Sequence, residues 1–364
     1  MRSRRPPRRR LVATTGLLVL LLAGACRPSP AASDTPPSVP PAAAAVAAPS
    51  AASAAAPLQK VHASYSGIQL VQSPAWMALE GGYFREQGLD VELTLITSGA
   101  TLLAALRNGE VELAGTGGST LLLGYLEGLD TMLIGAPVNY LDTSIFVRPE
   151  LRTIDDLRGK TIGVNRLKST TDVGARLAFQ RLGLQPDVDI FTRGTGGQTE
   201  SLAAMEAGAL DGGMMGVPTL FEARRRGYNE IIKINAEGMK LPFVNGAIGA
   251  TKRVLTEQPA MAERAMRALA QGVHRFKTDR GFASQVIGKY TRMEDRELLD
   301  ASVDYYAPLL EVDLYPDREG MQTVIDAEEH PAARTTRPED VTDYRFADRL
   351  RTSGFLDQLV DQHR

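Results

Sequence analysis

Five loops of this 364-residue chain carry hydroxyl side chains, four of them together with glycine, where a strand should hand over to a helix. They read Ser66-Gly67, Thr97-Ser98-Gly99-Ala100, Gly115-Thr116-Gly117-Gly118-Ser119-Thr120, Lys168-Ser169-Thr170-Thr171 and Gly194-Thr195-Gly196-Gly197. A sixth, Met215-Gly216-Val217-Pro218, keeps the glycine alone. Backbone N–H groups at a helix start point outward from the positive end of the helix dipole, and glycine lets a ligand approach them. Hydroxyls add donors. The chemistry is therefore capture of a small anion, held by dipoles rather than by a formal cation. The same residue types also serve as plain caps and turns; several such loops converging on one cleft is what favours binding. The candidate contacts are Ser66, Gly67, Gly99, Ala100, Gly117, Gly118, Ser119, Ser169, Thr170, Thr171, Gly197, Met215 and Val217. Trp76 and Tyr140 are aromatic candidates, and Trp76 fits a core position equally well.

Catalytic patterns fail on inspection. Gly159-Lys160-Thr161 resembles the end of a phosphate loop, but Ile154 stands where that loop needs glycine. Gly115 and Gly117 lack a third glycine, because position 120 is Thr120. No Gly-x-Ser-x-Gly elbow is present. The histidines, His62, His274, His330 and His363, lie far apart and outside the loops, so no metal spacing and no nucleophile–base pair is offered.

The elements that must carry these loops form one plan written twice. A strand over Lys60–Tyr65 leads to a helix over Ala75–Gln87, then Gly88-Leu89 and a strand over Asp90–Ile96. A strand over Thr161–Val164 leads to a helix over Asp172–Leu182, then Gly183-Leu184 and a strand over Val188–Thr192. Leu103-Ala104-Ala105-Leu106 precedes Gly109 and a strand over Val111–Ala114; Leu202-Ala203-Ala204-Met205 precedes Gly208 and a strand over Leu210–Met215. Gly88, Gly109, Gly183 and Gly208 stand where a helix ends in a positive φ. Alternating strands and helices predict parallel α/β sheets, and two copies predict two similar lobes with a cleft between them. Apolar runs at Asp130–Pro137 and Thr143–Val147 are expected to cross between lobes, with Asn245–Thr251 returning. Ala262, Ala265, Met266, Leu269, Val273 and Phe276 mark the buried face of a helix in a mainly helical C-terminal region.

Charge separates this body from its leader. The chain has 41 Lys+Arg and 43 Asp+Glu, but six arginines fall in residues 1–25 and leave 35 bases against 43 acids. An acidic body argues against a nucleic-acid binder. The arginines precede an apolar stretch, Leu11–Ala25, shorter than the roughly 20 residues that span a membrane. Residues 1–25 therefore read as a signal peptide. Leu22-Ala23-Gly24-Ala25-Cys26 resembles a bacterial lipobox, and Ala23-Gly24-Ala25 also suits ordinary signal peptidase; both cut before Cys26, the sole cysteine. Lipidation of Cys26 would anchor the protein to a membrane. Of residues 27–57, 26 of 31 are Ala, Pro or Ser, so this stretch buries too little to fold and reads as a tether.

Several segments together resemble the periplasmic solute-binding proteins of nitrate/sulfonate/taurine-type ABC importers, a family that includes thiamine-pyrimidine binders. They are Ala78-Leu79-Glu80-Gly81-Gly82-Tyr83-Phe84, Gly88-Leu89-Asp90-Val91-Glu92, Leu106-x-x-Gly109-Glu110-Val111-Glu112, Asp155 through Val164, and Gly208-Ala209-Leu210-Asp211-Gly212. The resemblance implies a type II periplasmic-binding fold, with lobe 1 over 58–142 and 247–364 and lobe 2 over 143–246. It implies a small organic ligand of sulfonate, nitrate or pyrimidine type, no cofactor and no catalysis. Its partners would be an ABC permease and its ATPase, served by a monomer. Ser169-Thr170-Thr171 resembles the hydroxyl-bearing helix start that taurine-type members use for the sulfonate. Met214-Met215-Gly216-Val217-Pro218 departs from the aromatic residue many members carry there, which suggests a larger or more apolar ligand. An enzyme of the same fold and a binding module serving a sensor are the alternatives; the fold's pyrimidine-synthesising enzymes depend, by resemblance, on a cysteine-rich motif that one cysteine cannot supply.

Overall fold

Two five-stranded sheets carry the protein, in a computed structural model that describes residues 57–234 and 241–361. The leader, Cys26 and all of the tether but its last residue lie outside the described residues.

Sheet A joins β1 (Gln59–Tyr65), β2 (Leu89–Leu95), β3 (Leu113–Thr116), β4 (Thr131–Tyr140) and, from much later in the chain, β10 (Pro242–Thr251). Sheet B joins β5 (Ser144–Val147), β6 (Thr161–Val164), β7 (Phe191–Gly194), β8 (Gly212–Met215) and β9 (Asn229–Lys233). The strand orders are β2-β1-β3-β10-β4 and β7-β6-β8-β5-β9. In each, three parallel strands are followed by one antiparallel strand that has just come from the other sheet. This is the type II periplasmic-binding arrangement, and the duplicated plan maps β1, β2 and β3 onto β6, β7 and β8.

The helices follow the same duplication. Sheet A receives α1 (Ser73–Glu80), α2 (Tyr83–Glu86), α3 (Gly99–Asn108) and α4 (Gly118–Leu126); sheet B receives α5 (Thr170–Arg181), α6 (Gln198–Glu206) and α7 (Thr219–Arg225). Gly88, Gly109, Gly183 and Gly208 all take φ between 71° and 77°, as their places after helices require. The helix expected over Ala75–Gln87 is broken in two: Gly82 enters the left-handed region at φ 76° and the chain restarts as α2. Three strands begin two or three residues later than expected. Before β7 the delay comes from a turn in which Asp187 takes φ 64°.

After β10 the chain is helical: α8 (Lys252–Glu257), α9 (Pro259–Thr278), α10 (Arg280–Thr291), α11 (Arg296–Tyr306), α12 (Arg318–Asp326), α13 (Pro338–Val341), α14 (Arg345–Thr352) and α15 (Phe355–Asp361). The predicted stripe of α9, from Ala262 to Phe276, is buried. It packs on α1, where Gly272 allows an approach that a β-carbon would block at 2.7 Å from the Pro74 carbonyl. Ala55–Arg364 is one unit by its contacts.

Only Leu141-Asp142-Thr143 separate β4 in sheet A from β5 in sheet B. These residues are buried, and the return strand β10 lies beside β4. Among the described residues no helix is long and apolar enough to cross a membrane.

Candidate functional site

The loops at the carboxyl ends of both sets of parallel strands meet at one cavity of about 310 Å³. Sheet A contributes Ser66-Gly67 after β1, Thr97 after β2 and Thr116-Gly117 after β3. Sheet B contributes Asn165, Arg166 and Ser169–Thr171 after β6, then Gly196–Glu200 after β7. Its floor is the crossover, with Leu141, Asp142 and Thr143 from one connection and Asn245 from the return strand. Ligands of open α/β sheets bind in this position relative to the strands.

Seven of the fifteen expected contacts line the cavity: Ser66, Gly67, Gly117, Ser169, Thr170, Thr171 and Gly197. Gly99 and Ser119 stand just outside it. A β-carbon on Gly99 would lie 3.8 Å from the Arg166 guanidinium, and the Ser119 hydroxyl is 3.1 Å from that of Thr170. Ala100 is exposed at the start of α3, and Gly118 is buried against Val244. The other four do not join the site. Trp76 is fully buried, its ring stacked 4.7 Å from Tyr290 and met edge-on by Tyr65. Met215, the last residue of β8, and Val217, two residues beyond it, are buried in apolar cores. Tyr140 donates to the Leu309 carbonyl at 2.9 Å and faces a separate cavity beside Asn139 and Glu311; burial, then the Glu311 and Asp142 carboxylates, push its pKa up to about 12.

The hydroxyls at the start of α5 are largely committed to the protein. Ser169 Oγ donates to the Arg166 carbonyl at 2.7 Å, so its one hydrogen is spent. Thr171 Oγ1 accepts from the Asn165 backbone N–H at 3.0 Å and lies 3.0 Å from Ser169 Oγ. These bonds fold the loop back against the helix start; Ser169, at the N-cap position, makes no side-chain capping bond to the first turn. At α6 the exposed Glu200 side chain lies against Gly197, where a β-carbon would be 2.3 Å from its carboxylate. That helix start already carries a negative charge.

Four residues that sequence reasoning passed over give the cavity its electrostatics. Asp142 accepts from Asn245 Nδ2 at 2.6 Å on one carboxylate oxygen and from the Tyr306 hydroxyl at 2.5 Å on the other. Burial drives its pKa above the usual carboxylate range, with the two hydrogen bonds pulling part of the way back. Tyr306, equally buried beside that carboxylate, is raised well above the ordinary phenol range. Arg166 reaches the cavity half-buried with no carboxylate paired to it among the described residues, and desolvation alone lowers its pKa. The expectation of dipoles without a formal cation is therefore corrected: a guanidinium stands in the cleft. No local signal marked it, since an arginine two residues before Lys168 reads as a solvated loop charge. Among the described residues no group of three His, Cys, Asp or Glu could hold a metal.

The sequence profile described as NMT1/THI5 like matches residues 70–279, which include most of the cavity lining but not Ser66 or Gly67. The chain belongs to the NMT1/THI5-like family. No curated protein matches this family member by sequence. Solved structures match its fold. The alkanesulfonate-binding protein SsuA from Xanthomonas axonopodis pv. citri, bound to MOPS, is 19% identical with a TM-score of 0.66, over 80% of this chain and 100% of its own. The periplasmic nitrate-binding protein NrtA from Synechocystis PCC 6803 is 12% identical with a TM-score of 0.66, over 84% of this chain and 91% of its own. A Candida albicans gene product with the generic periplasmic binding protein fold is 15% identical with a TM-score of 0.63, over 79% and 96%. At these identities the likeness establishes the fold of this NMT1/THI5-like protein.

Proposed function

We propose that this protein is the extracytoplasmic ligand-binding component of an ABC importer. The observation that carries the reading is the single cavity lined by strand-end loops of both sheets and floored by the crossover. A ligand there touches both lobes at once, so it favours the state in which they close, and binding becomes a shift of population toward that state. The lobes we assign are 58–142 with 247–364, and 143–246. Delivery would be to a permease and its ATPase, by a monomer that binds without turnover.

The leader supports the same location. Residues 1–25 would direct export, Cys26 would carry the lipid, and the stretch to residue 57 would let the body range from the membrane. SsuA and NrtA, which share the fold, are binding proteins for alkanesulfonates and nitrate; a small polar ligand is the corresponding expectation here.

The test is X-ray scattering and calorimetry of the mature protein against sulfonates, nitrate, amino acids and amino-heterocycles. A binder should reduce the radius of gyration. Binding by none of them, with no compaction, would remove the reading. Mass spectrometry of the mature N-terminus decides whether Cys26 carries lipid.

A further inference from the structure

A contact between the lobes also lies outside the cavity, at α7. Val217, just before that helix, is buried in the apolar core that sheet A shares with α9, α10 and α11. Phe221 packs on the same core and on the smaller core of sheet B around Phe146 and Leu202. Its ring meets Tyr305 of α11 edge-on, with centroids 5.8 Å apart and planes at 84°. One turn further along α7, Arg225 Nη1 donates to Asp295 Oδ2 at 2.7 Å. Tyr305 stands in the last turn of α11 and Asp295 is its N-cap, so α7 is fastened to both ends of that helix.

The helix so gripped reaches the parts that must move together. Tyr306, next to Tyr305, donates to Asp142 in the crossover, and Thr291, four residues before Asp295, lines the cavity. Arg225 and Asp295 are 70 residues apart, so no short chain connection enforces their meeting. It coexists with the Ser119–Thr170 contact at the rim, and both belong to one arrangement of the lobes. A hydrogen-bonded ion pair and a ring edge act only at close range; an ångström or two of separation ends the bond and admits water.

We propose that α7 clasps α11 and holds the lobes closed, so that Phe221, Arg225, Tyr305 and Asp295 raise ligand affinity without touching the ligand. This rests on the two-lobe binding reading and adds to it residues that position one lobe against the other. The effect runs through population. Apparent affinity scales with the fraction of molecules already in the binding-competent state, and a contact present only in that state raises the fraction.

The experiment needs no ligand. The Ser119 and Thr170 hydroxyls are close enough that Ser119→Cys with Thr170→Cys can form a disulfide when the lobes are closed. Its rate of formation in a glutathione buffer, read by mass spectrometry of the joined peptides, reports closure of the mature protein, and X-ray scattering gives the radius of gyration. Arg225→Glu sets two carboxylates against each other at a side chain that is 59% exposed, where the fold should tolerate the change. The disulfide should form about twofold to fivefold more slowly, the scale of one exposed charge pair, and the radius should increase. Adding Asp295→Asn removes the repulsion while its amide oxygen still caps α11, and should recover most of the rate. Phe221→Leu keeps apolar packing on both cores, loses the ring edge and should slow the disulfide too. Failure of Asp295→Asn to restore the rate would take Asp295 out of the clasp. Unchanged or faster disulfide formation in both Arg225→Glu and Phe221→Leu would make α7 a fixed pivot and overturn the proposal, while a ligand that still compacts the wild-type protein would leave the importer reading intact. Conversely, slower formation in these variants supports the clasp even if no ligand of the panel binds.

Discussion

The hydroxyls of Ser119 and Thr170 lie 3.1 Å apart, one in the first turn of α4 on sheet A and the other at the start of α5 on sheet B. This contact joins the two sheets directly at the rim of the cavity. It is possible because Gly117 has no side chain: a β-carbon there would fall 1.9 Å from Thr170 Oγ1. The residue has ordinary negative φ, so its backbone tolerates a side chain and only the opposite lobe objects. Gly117→Ala should therefore fold with unchanged thermal stability yet resist closure. Ligand affinity is expected to fall at least tenfold, about 1.4 kcal/mol, with scattering showing no compaction at saturation. Normal compaction in this variant would mean that the lobes do not close on this contact.

The hydrogen bond itself has a smaller role. Ser119→Ala and Thr170→Val should each weaken ligand binding by about 0.5–1.5 kcal/mol, the net contribution of one neutral hydrogen bond. Because they remove the same bond, the double variant should be little worse than either single one. Additive losses in calorimetry would show that each hydroxyl acts elsewhere.

Much of this architecture is legible in the chain because it rests on local signals. The glycines after the helices take the positive φ their spacing predicts, and the apolar runs at 130–137 and 143–147 become β4 and β5. The site is less legible. Asp142 is a lone acid between two apolar strands, and its meaning comes from Asn245 and Tyr306, 103 and 164 residues away. Nothing near Arg166 in sequence marks it as lacking an acidic partner. Conversely Ser169 and Thr171 look like ligand donors, but their geometry commits them to the loop that positions Arg166. Hydroxyl-rich helix starts are locally ambiguous between capping and binding, and only tertiary contacts divide the two.

Trp76 gives a direct check on that division. It is the sole tryptophan, it is fully buried, and its stack on Tyr290 belongs to the core of α1 and α10. Trp76→Ala should cost about 3–5 kcal/mol of stability in urea unfolding. Ligand affinity of the folded fraction should stay within twofold. In the native protein, acrylamide should leave its fluorescence nearly unquenched with or without ligand. An affinity loss as large as that of Gly117→Ala would return Trp76 to the site.

Asp142 sets the sign of a pH effect. Its folded pKa stands above its unfolded value because burial outweighs the bonds from Tyr306 and Asn245. Between those two values the folded state binds more protons than the unfolded one, so stability falls as pH rises from about 4 through the folded pKa. Tyr306→Phe removes one donor to the carboxylate and raises that pKa further. The variant should be less stable by about 1.5–3 kcal/mol at pH 7, the range for a hydrogen bond to a charged group. The deficit should shrink as pH falls toward 4, because protonation removes the charge that the tyrosine hydroxyl stabilises. In an Asp142→Asn background, Tyr306→Phe should show a deficit that no longer varies with pH. Urea unfolding of the four proteins at pH 4, 5.5 and 7 measures this; a Tyr306→Phe deficit in the wild-type background that stays constant across that range would mean Asp142 is not the group that titrates.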